Sequence, residues 1–177
     1  ENLKRYSFDR ILTADPHVLH CLRNEYPALG GDYRVVHHSA LLDELIHSGR
    51  LRPAPAMTTN VTYHDPCYLG RYNREIVSPR NVLGSLGGNF TEMRRSGMRS
   101  RCCGGGGGAP ITDVAGSRRI PDMRMADARE TGASVVAVSC PNCMTMLEGV
   151  VEPRPRVVDI AELLLESVET QLESTNV

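Results

Sequence analysis

The sequence predicts an α/β fold: mainly parallel sheets with flanking helices, built as two pseudo-repeated half-domains. Three observations lead there. Short apolar runs rich in valine, such as Val35-Val36, Val135 to Val138 and Val157-Val158, have the composition of buried parallel strands. The segments that follow carry apolar residues at i, i+3 and i+4, the spacing of helices that bury one face. The order strand, tight turn, helix, strand, helix occurs twice. Strands alternating with helices in this way build parallel sheets.

The first copy opens with a strand over Arg10-Ile11-Leu12-Thr13-Ala14. It turns at Asp15-Pro16-His17-Val18 and continues as a helix through Tyr26. A second strand over Tyr33 to His38 feeds a helix over Leu41 to Ile46. Leu51 to Thr59 is a proline-rich connector. Val61 to Cys67 reads as a strand that ends at a cysteine. Pro79 to Gly87 reads as a short helix with proline near its start and glycine at its end. Phe90 to Met93 reads as a short strand, and Pro121 to Thr131 as a helix closed by Gly132. The second copy begins with a strand over Val135 to Val138. It turns at Ser139-Cys140-Pro141-Asn142-Cys143, runs as a helix through Val150, and ends in a strand over Arg156 to Ile160 and a helix over Ala161 to Glu166.

The two copies align Asp15 with Cys140 and Val18 with Cys143. The first copy therefore lacks both cysteines of the second, and a carboxylate and a valine do not replace two thiolates. Residues 1–55 are expected to be a degenerate, truncated first repeat that serves as scaffold. Residues 56–177 are expected to be the intact cysteine-rich domain.

Five of the six cysteines sit in three turn-like settings: Cys67, the pair Cys102-Cys103, and Cys140 with Cys143. Short loops that gather thiolates suit a metal or iron–sulfur site. Burial of cysteine as a small hydrophobe is common, but an adjacent pair followed by Gly104 to Gly108 is poor core material. The glycines give positive φ, room for a bulky group, and N–H donors for sulfur. Gly104 and Gly105 are thus candidate cofactor-binding positions beside the five cysteines. No Lys-Ser/Thr follows the run, so a phosphate loop is not supported. Cys140-Pro141-Asn142-Cys143 at a helix start also suits a thioredoxin-like pair; the three further cysteines favour a cluster. Zinc is the alternative metal. Cys21 is read as a helix residue that binds no metal. His64, three residues before Cys67, could donate to a sulfur or be a stray ligand, but is expected to stabilise a turn at the surface; His37-His38 is expected to be a polar pair at a strand end. No residues are assigned as catalytic.

With 177 residues, 41% hydrophobic, the chain is long enough to build its own core and has no need of disulfide staples. Reduced thiols on the cytoplasmic side are expected. The net charge of −1 argues against nucleic acid as a partner. No apolar run approaches the ~20 residues of a membrane span. There is no signal peptide, and the first residue is Glu rather than Met, which points to a piece of a longer protein.

Cys67, Cys102-Cys103-Gly104 and Cys140-Pro141-Asn142-Cys143, at these spacings, closely resemble the cysteine-rich CCG domain. That domain occurs in heterodisulfide reductase B-type subunits and in glycolate and lactate oxidase iron–sulfur subunits. The resemblance implies a 4Fe-4S cluster on the five cysteines, non-cubane in some members, with zinc in one motif of others. A narrower likeness lies in Tyr63 to Asn73, Arg119 to Met125, Asn24 to Pro27 and Val151 to Pro155. These look like the C-terminal part of membrane-associated iron–sulfur proteins that serve dimethylglycine and related methylamine catabolism, or that reoxidise electron-transferring flavoprotein. The implied role is an electron-transfer module between a flavoprotein dehydrogenase and a quinone; the alternatives are a cluster-centred disulfide reductase subunit and a structural zinc or metal-free interaction domain. The implied partners are that flavoprotein and an upstream iron–sulfur and membrane domain of the same protein.

Overall fold

The computed structural model describes residues 2–55, 57–106, 109, 111–112, 116, 118–151 and 153–175, with the side chains of residue 4 and of 169–175 outside the description. The N-terminal part contains strands β1 (Ile11–Thr13) and β2 (Val35–His37) and helices α1 (Pro16–His20) and α2 (His38–His47). The two strands pair in parallel, Ile11 opposite Val35 and Thr13 opposite His37. The rest contains β3 (Asn60–Tyr63), α3 (Val77–Ser85), β4 (Asn89–Phe90), α4 (Ile120–Arg129), β5 (Val135–Val138), α5 (Pro141–Glu148), β6 (Arg156–Asp159) and α6 (Ile160–Thr175). Its strands form one sheet in the order β4-β3-β5-β6, and every pairing is parallel.

β5 explains the layering. All four of its residues are buried, as a central strand covered on both faces requires. Val135 and Ala137 face one core with Val61, Tyr63, Val82, Leu83, Leu86 and Leu163. Val136 and Val138 face the other with Met93, Met125, Leu147, Cys103, Cys140 and Cys143. The period of two along the strand divides the cores. Three of the five clustered cysteines therefore belong to the second core. A smaller cluster of Leu19, Val35 and Leu69 joins the N-terminal sheet to the segment that follows Cys67.

The strand–helix–strand–helix order occurs twice, in β1-α1-β2-α2 and in β5-α5-β6-α6. Asp15 and Cys140 are the N-cap residues of α1 and α5, and each is followed by proline at the first helical position. Proline fits there because its missing N–H has no partner inside the helix in any case.

Several boundaries differ from expectation. The strand expected over Val61 to Cys67 ends at Tyr63, because the chain turns at His64-Asp65-Pro66 and Cys67 opens a π-helical stretch. The strand expected at Phe90 to Met93 ends at Phe90: Thr91 N–H makes a last bond to Val61 O, and Glu92 then turns to Arg80. The helix expected from Pro79 starts at Val77, since proline is tolerated anywhere in a first turn whose N–H groups have no intrahelical partner. The helix expected through Tyr26 is α-helical only to His20. It widens to a π-helical stretch over Cys21–Glu25 and tightens to a 3-10 turn over Tyr26–Leu29. Pro27 has no N–H to continue an α ladder, and Gly30 at φ 77° ends the run.

Candidate metal centre

Two neighbouring parallel strands deliver three of the five cysteines. After β3, His64-Asp65-Pro66 leads to Cys67, the first residue of a π-helical stretch over Cys67–Tyr72. After β5, Ser139 leads to Cys140 at the start of α5, with Cys143 in its first turn. Both loops leave the C-terminal ends of their strands, where open parallel sheets place their sites. The Cys102-Cys103 loop follows a 3-10 turn at Gly97–Arg99 rather than a strand.

Asp65 ties the first loop to the second. It is 2% exposed. Its carboxylate accepts from Arg80 Nη1 at 2.8 Å, Arg80 Nη2 at 3.1 Å and Gly97 N at 2.7 Å. Its carbonyl accepts from Ser100 Oγ at 3.0 Å. The third loop is tied to the first by the bond between the Tyr63 hydroxyl and Ser139 Oγ.

The result is one cavity of about 330 Å³, its mouth included, lined by Cys67, Cys102, Cys103, Cys140 and Cys143 with His17, Tyr68, Gly105, Gly106 and Asn142. The thiols form a chain. Cys103 and Cys67 donate to Cys102 and hold its pKa far below the thiol range, helped by the Gly104 N–H. Donation to Cys102 is the largest cause raising Cys67, and it also raises Cys103 to about 11. Cys143 donates to Cys140, which lowers Cys140; its bonds to Cys103 and Cys140 raise Cys143 itself. Thiols packed this closely oppose carrying five charges at once, and binding a metal displaces such protons.

Backbone N–H groups reach the same sulfurs, Gly104 to Cys102 at 3.3 Å and Gly105 to Cys103 at 3.4 Å. Gly104 has φ 89°, and a Cβ there would lie 2.9 Å from Pro121 Cδ. Glycine is needed at that position on both counts. Gly107 and Gly108 lie outside the described residues. Among the described residues no cysteine is in a disulfide. Cys21 is not part of the cavity lining and bonds Glu25 Oε2 at 3.4 Å.

The surface role expected for His64 is overturned. The residue is fully buried, because its backbone N–H extends the sheet to Ala137 O and draws the ring inside. Arg124 Nε donates to its Nδ1 at 2.9 Å, and a ring nitrogen lies within 4.8 Å of the sulfurs of Cys103 and Cys143. Burial, then the Arg124 charge, push its pKa down to about 3. Arg124 was not singled out from the sequence, nor were Tyr68, His17 and Asn142 as lining residues. A signal existed for the last two. The alignment of the copies places His17 opposite Asn142, and the two side chains meet at 3.5 Å. The donor atoms of Asp15, His17 and Cys140 also lie within 4.8 Å of one another. The cysteine-free turn of the first copy therefore faces the cysteine-bearing turn of the second.

Among the described residues no helix is long and apolar enough to cross a membrane. Residues 61–148 match the family described as the cysteine-rich domain, CCG. The chain is 56% identical, over 99% of its length, to a probable membrane-anchored ferredoxin of Chromohalobacter salexigens, of which it covers 27%. It is 35% identical, over 96% of its length, to an EtfAB:quinone oxidoreductase of Syntrophomonas wolfei, covering 25% of that protein. It is 39% identical, over 90% of its length, to the probable iron-sulfur-binding oxidoreductase FadF of Bacillus subtilis, covering 23%. The chain spans about a quarter of the length of these relatives. With Cys67, Cys102, Cys103, Cys140 and Cys143 all in the matched segment and gathered in one cavity, residues 61–148 belong to the cysteine-rich CCG domain family.

Proposed function

We propose that this chain is the iron–sulfur electron-transfer module of a larger oxidoreductase, relaying electrons from a flavoprotein toward a quinone. The observation that carries the reading is the convergence of five thiols on one cavity. The residues fit a cluster better than a single ion. Five sulfurs exceed the four that a structural zinc takes. Two glycine N–H groups already point at sulfurs, as they do around iron–sulfur clusters. Cys67, Cys102, Cys103, Cys140 and Cys143 would hold a cluster of the 4Fe-4S type. When bound, such a group supplies reversible one-electron transfer.

The chain's own residues supply the rest. The Asp65–Arg80 joint fixes the spacing of two cysteine loops. Cys103, Cys140 and Cys143 belong to the apolar core, which keeps water from their side of the site. Cys67 and Cys102 are only half-buried, so electrons enter or leave on that side. The relatives' names support the setting: a ferredoxin, an EtfAB:quinone oxidoreductase and an iron-sulfur-binding oxidoreductase. The donor is a flavoprotein dehydrogenase or an electron-transferring flavoprotein. Attachment to the membrane, on its cytoplasmic side, belongs to the remainder of the full-length protein.

Anaerobic reconstitution with iron and sulfide tests this. The expected result is a brown protein with iron and sulfide in equal amounts and an EPR signal in one redox state. Uptake of one zinc per chain, with iron refused, would refute the proposal.

A further inference from the structure

His64 and Arg124 are both fully buried behind the cavity, and no surface function accounts for them. Arg124 lies on α4, and its guanidinium makes three contacts. Nε donates to His64 Nδ1 at 2.9 Å, Nη1 donates to Arg95 O at 2.8 Å, and Nη1 lies 3.5 Å from Asp127 Oδ2. A guanidinium only donates. Nδ1 of His64 is therefore its acceptor, and the neutral ring carries its single proton on Nε2. That Nε2 atom is buried and has no partner among the described residues. A buried N–H without an acceptor is destabilising. The ring sits beside the sulfurs of Cys103 and Cys143.

We propose that His64 is a fixed N–H donor to the sulfur of a bound cluster, and that Arg124 is the positioning residue that holds it in the donating tautomer. This rests on the cluster reading above. The bond stabilises the reduced, more negative cluster and so raises its potential. Glycine N–H groups serve Cys102 and Cys103 from the front; His64 serves the buried side, next to Cys143.

The test uses the whole chain, loaded with cluster, and reads the midpoint potential. His64→Phe keeps a ring and removes the donor. It is expected to shift the reduction equilibrium about tenfold toward the oxidised form, about 59 mV for one electron, with iron and sulfide unchanged. His64→Gln, which keeps an N–H, should recover part of the shift. Arg124→Met should move the potential the same way. Nitrogen NMR of the metal-free wild type reads the tautomer directly: Nε2–H is expected, and a mixture in Arg124→Met. If His64→Phe does not fold, the Arg124→Met potential and the wild-type tautomer decide. An Nδ1–H tautomer, or an unmoved potential in fully loaded variants, overturns this inference alone. A wild type that takes up no iron overturns the electron-transfer reading and this inference with it.

Discussion

Cys103 sits in the middle of the thiol group: its sulfur interacts with those of Cys102 and Cys143 and accepts the Gly105 N–H. Cys21 shares none of these contacts and bonds Glu25 instead. The two separate a ligand from a bystander. Serine at 103 offers a hard oxygen that iron–sulfur sites do not favour. Cys103→Ser is expected to lose at least half of the reconstituted iron or to change the EPR signal, and Cys21→Ser to keep both. Equal iron loss in the two variants would refute the assignment. Gly104 makes a second residue-scale case. Gly104→Ala adds a methyl group at φ 89°, 2.9 Å from Pro121 Cδ. Strain of this kind costs about 1–3 kcal/mol. The urea midpoint should fall at constant slope; an unmoved midpoint would mean that the loop yields without cost.

At the scale of elements, the cysteine loops depend on joints that cross the fold. Asp65 joins the Cys67 loop to Gly97, Ser100 and Arg80. Breaking a buried ion pair costs about 3–5 kcal/mol. Asp65→Ala should fall at the lower end, because Arg80 keeps Glu92 and some solvent. Chemical denaturation measures the loss, and a change well under 1 kcal/mol, the scale of an exposed pair, would show the joint to be superficial. Such joints also mark where sequence reading stops. The loops themselves were legible, because cysteine, proline and glycine carry their turn chemistry locally. His64 was not: His-Asp-Pro-Cys reads as a turn at the surface. Arg124, between Met123 and Met125 in a helical pattern, reads as a solvated basic position. Its partnership with His64 links residues 60 positions apart, and no local pattern encodes it. The short β4 failed similarly, since Phe90 to Met93 has strand-like composition and Glu92 leaves the sheet for an arginine on α3.

At the scale of the molecule, the repeated order of elements was legible because periodicity does not depend on the cysteines. The manner in which the copies meet was not. Besides Leu42 and Ile46, which pack on the core that holds Leu163 and Leu164, they meet through polar groups: His17 with Asn142, and His38 Nε2 with Asp159 Oδ1 at 3.1 Å. His37 lies in this seam and is fully buried. Its Nδ1 accepts from Ser39 N as the N-cap of α2, and its Nε2 lies 3.3 Å from Ala14 O. Burial, then the neighbouring His38, push its pKa from an ordinary 6.5 down to about 3. The sign follows from proton counting. Between those two values the unfolded chain binds a proton at His37 and the folded chain does not. Acid therefore favours unfolding, and the His37 contribution is complete above pH 6.5. Below that it is lost at about 1.4 kcal/mol per pH unit, down to about pH 3. From pH 6.5 to 5 the loss from this residue is about 2 kcal/mol. Urea unfolding at pH 7, 6 and 5 measures the slope in the wild type and in His37→Gln, whose amide oxygen still accepts from Ser39 N. The variant should be less stable at pH 7, yet lose stability toward acid more slowly, by close to one proton. Parallel pH profiles for the two proteins would show that His37 takes up its proton without opening the seam.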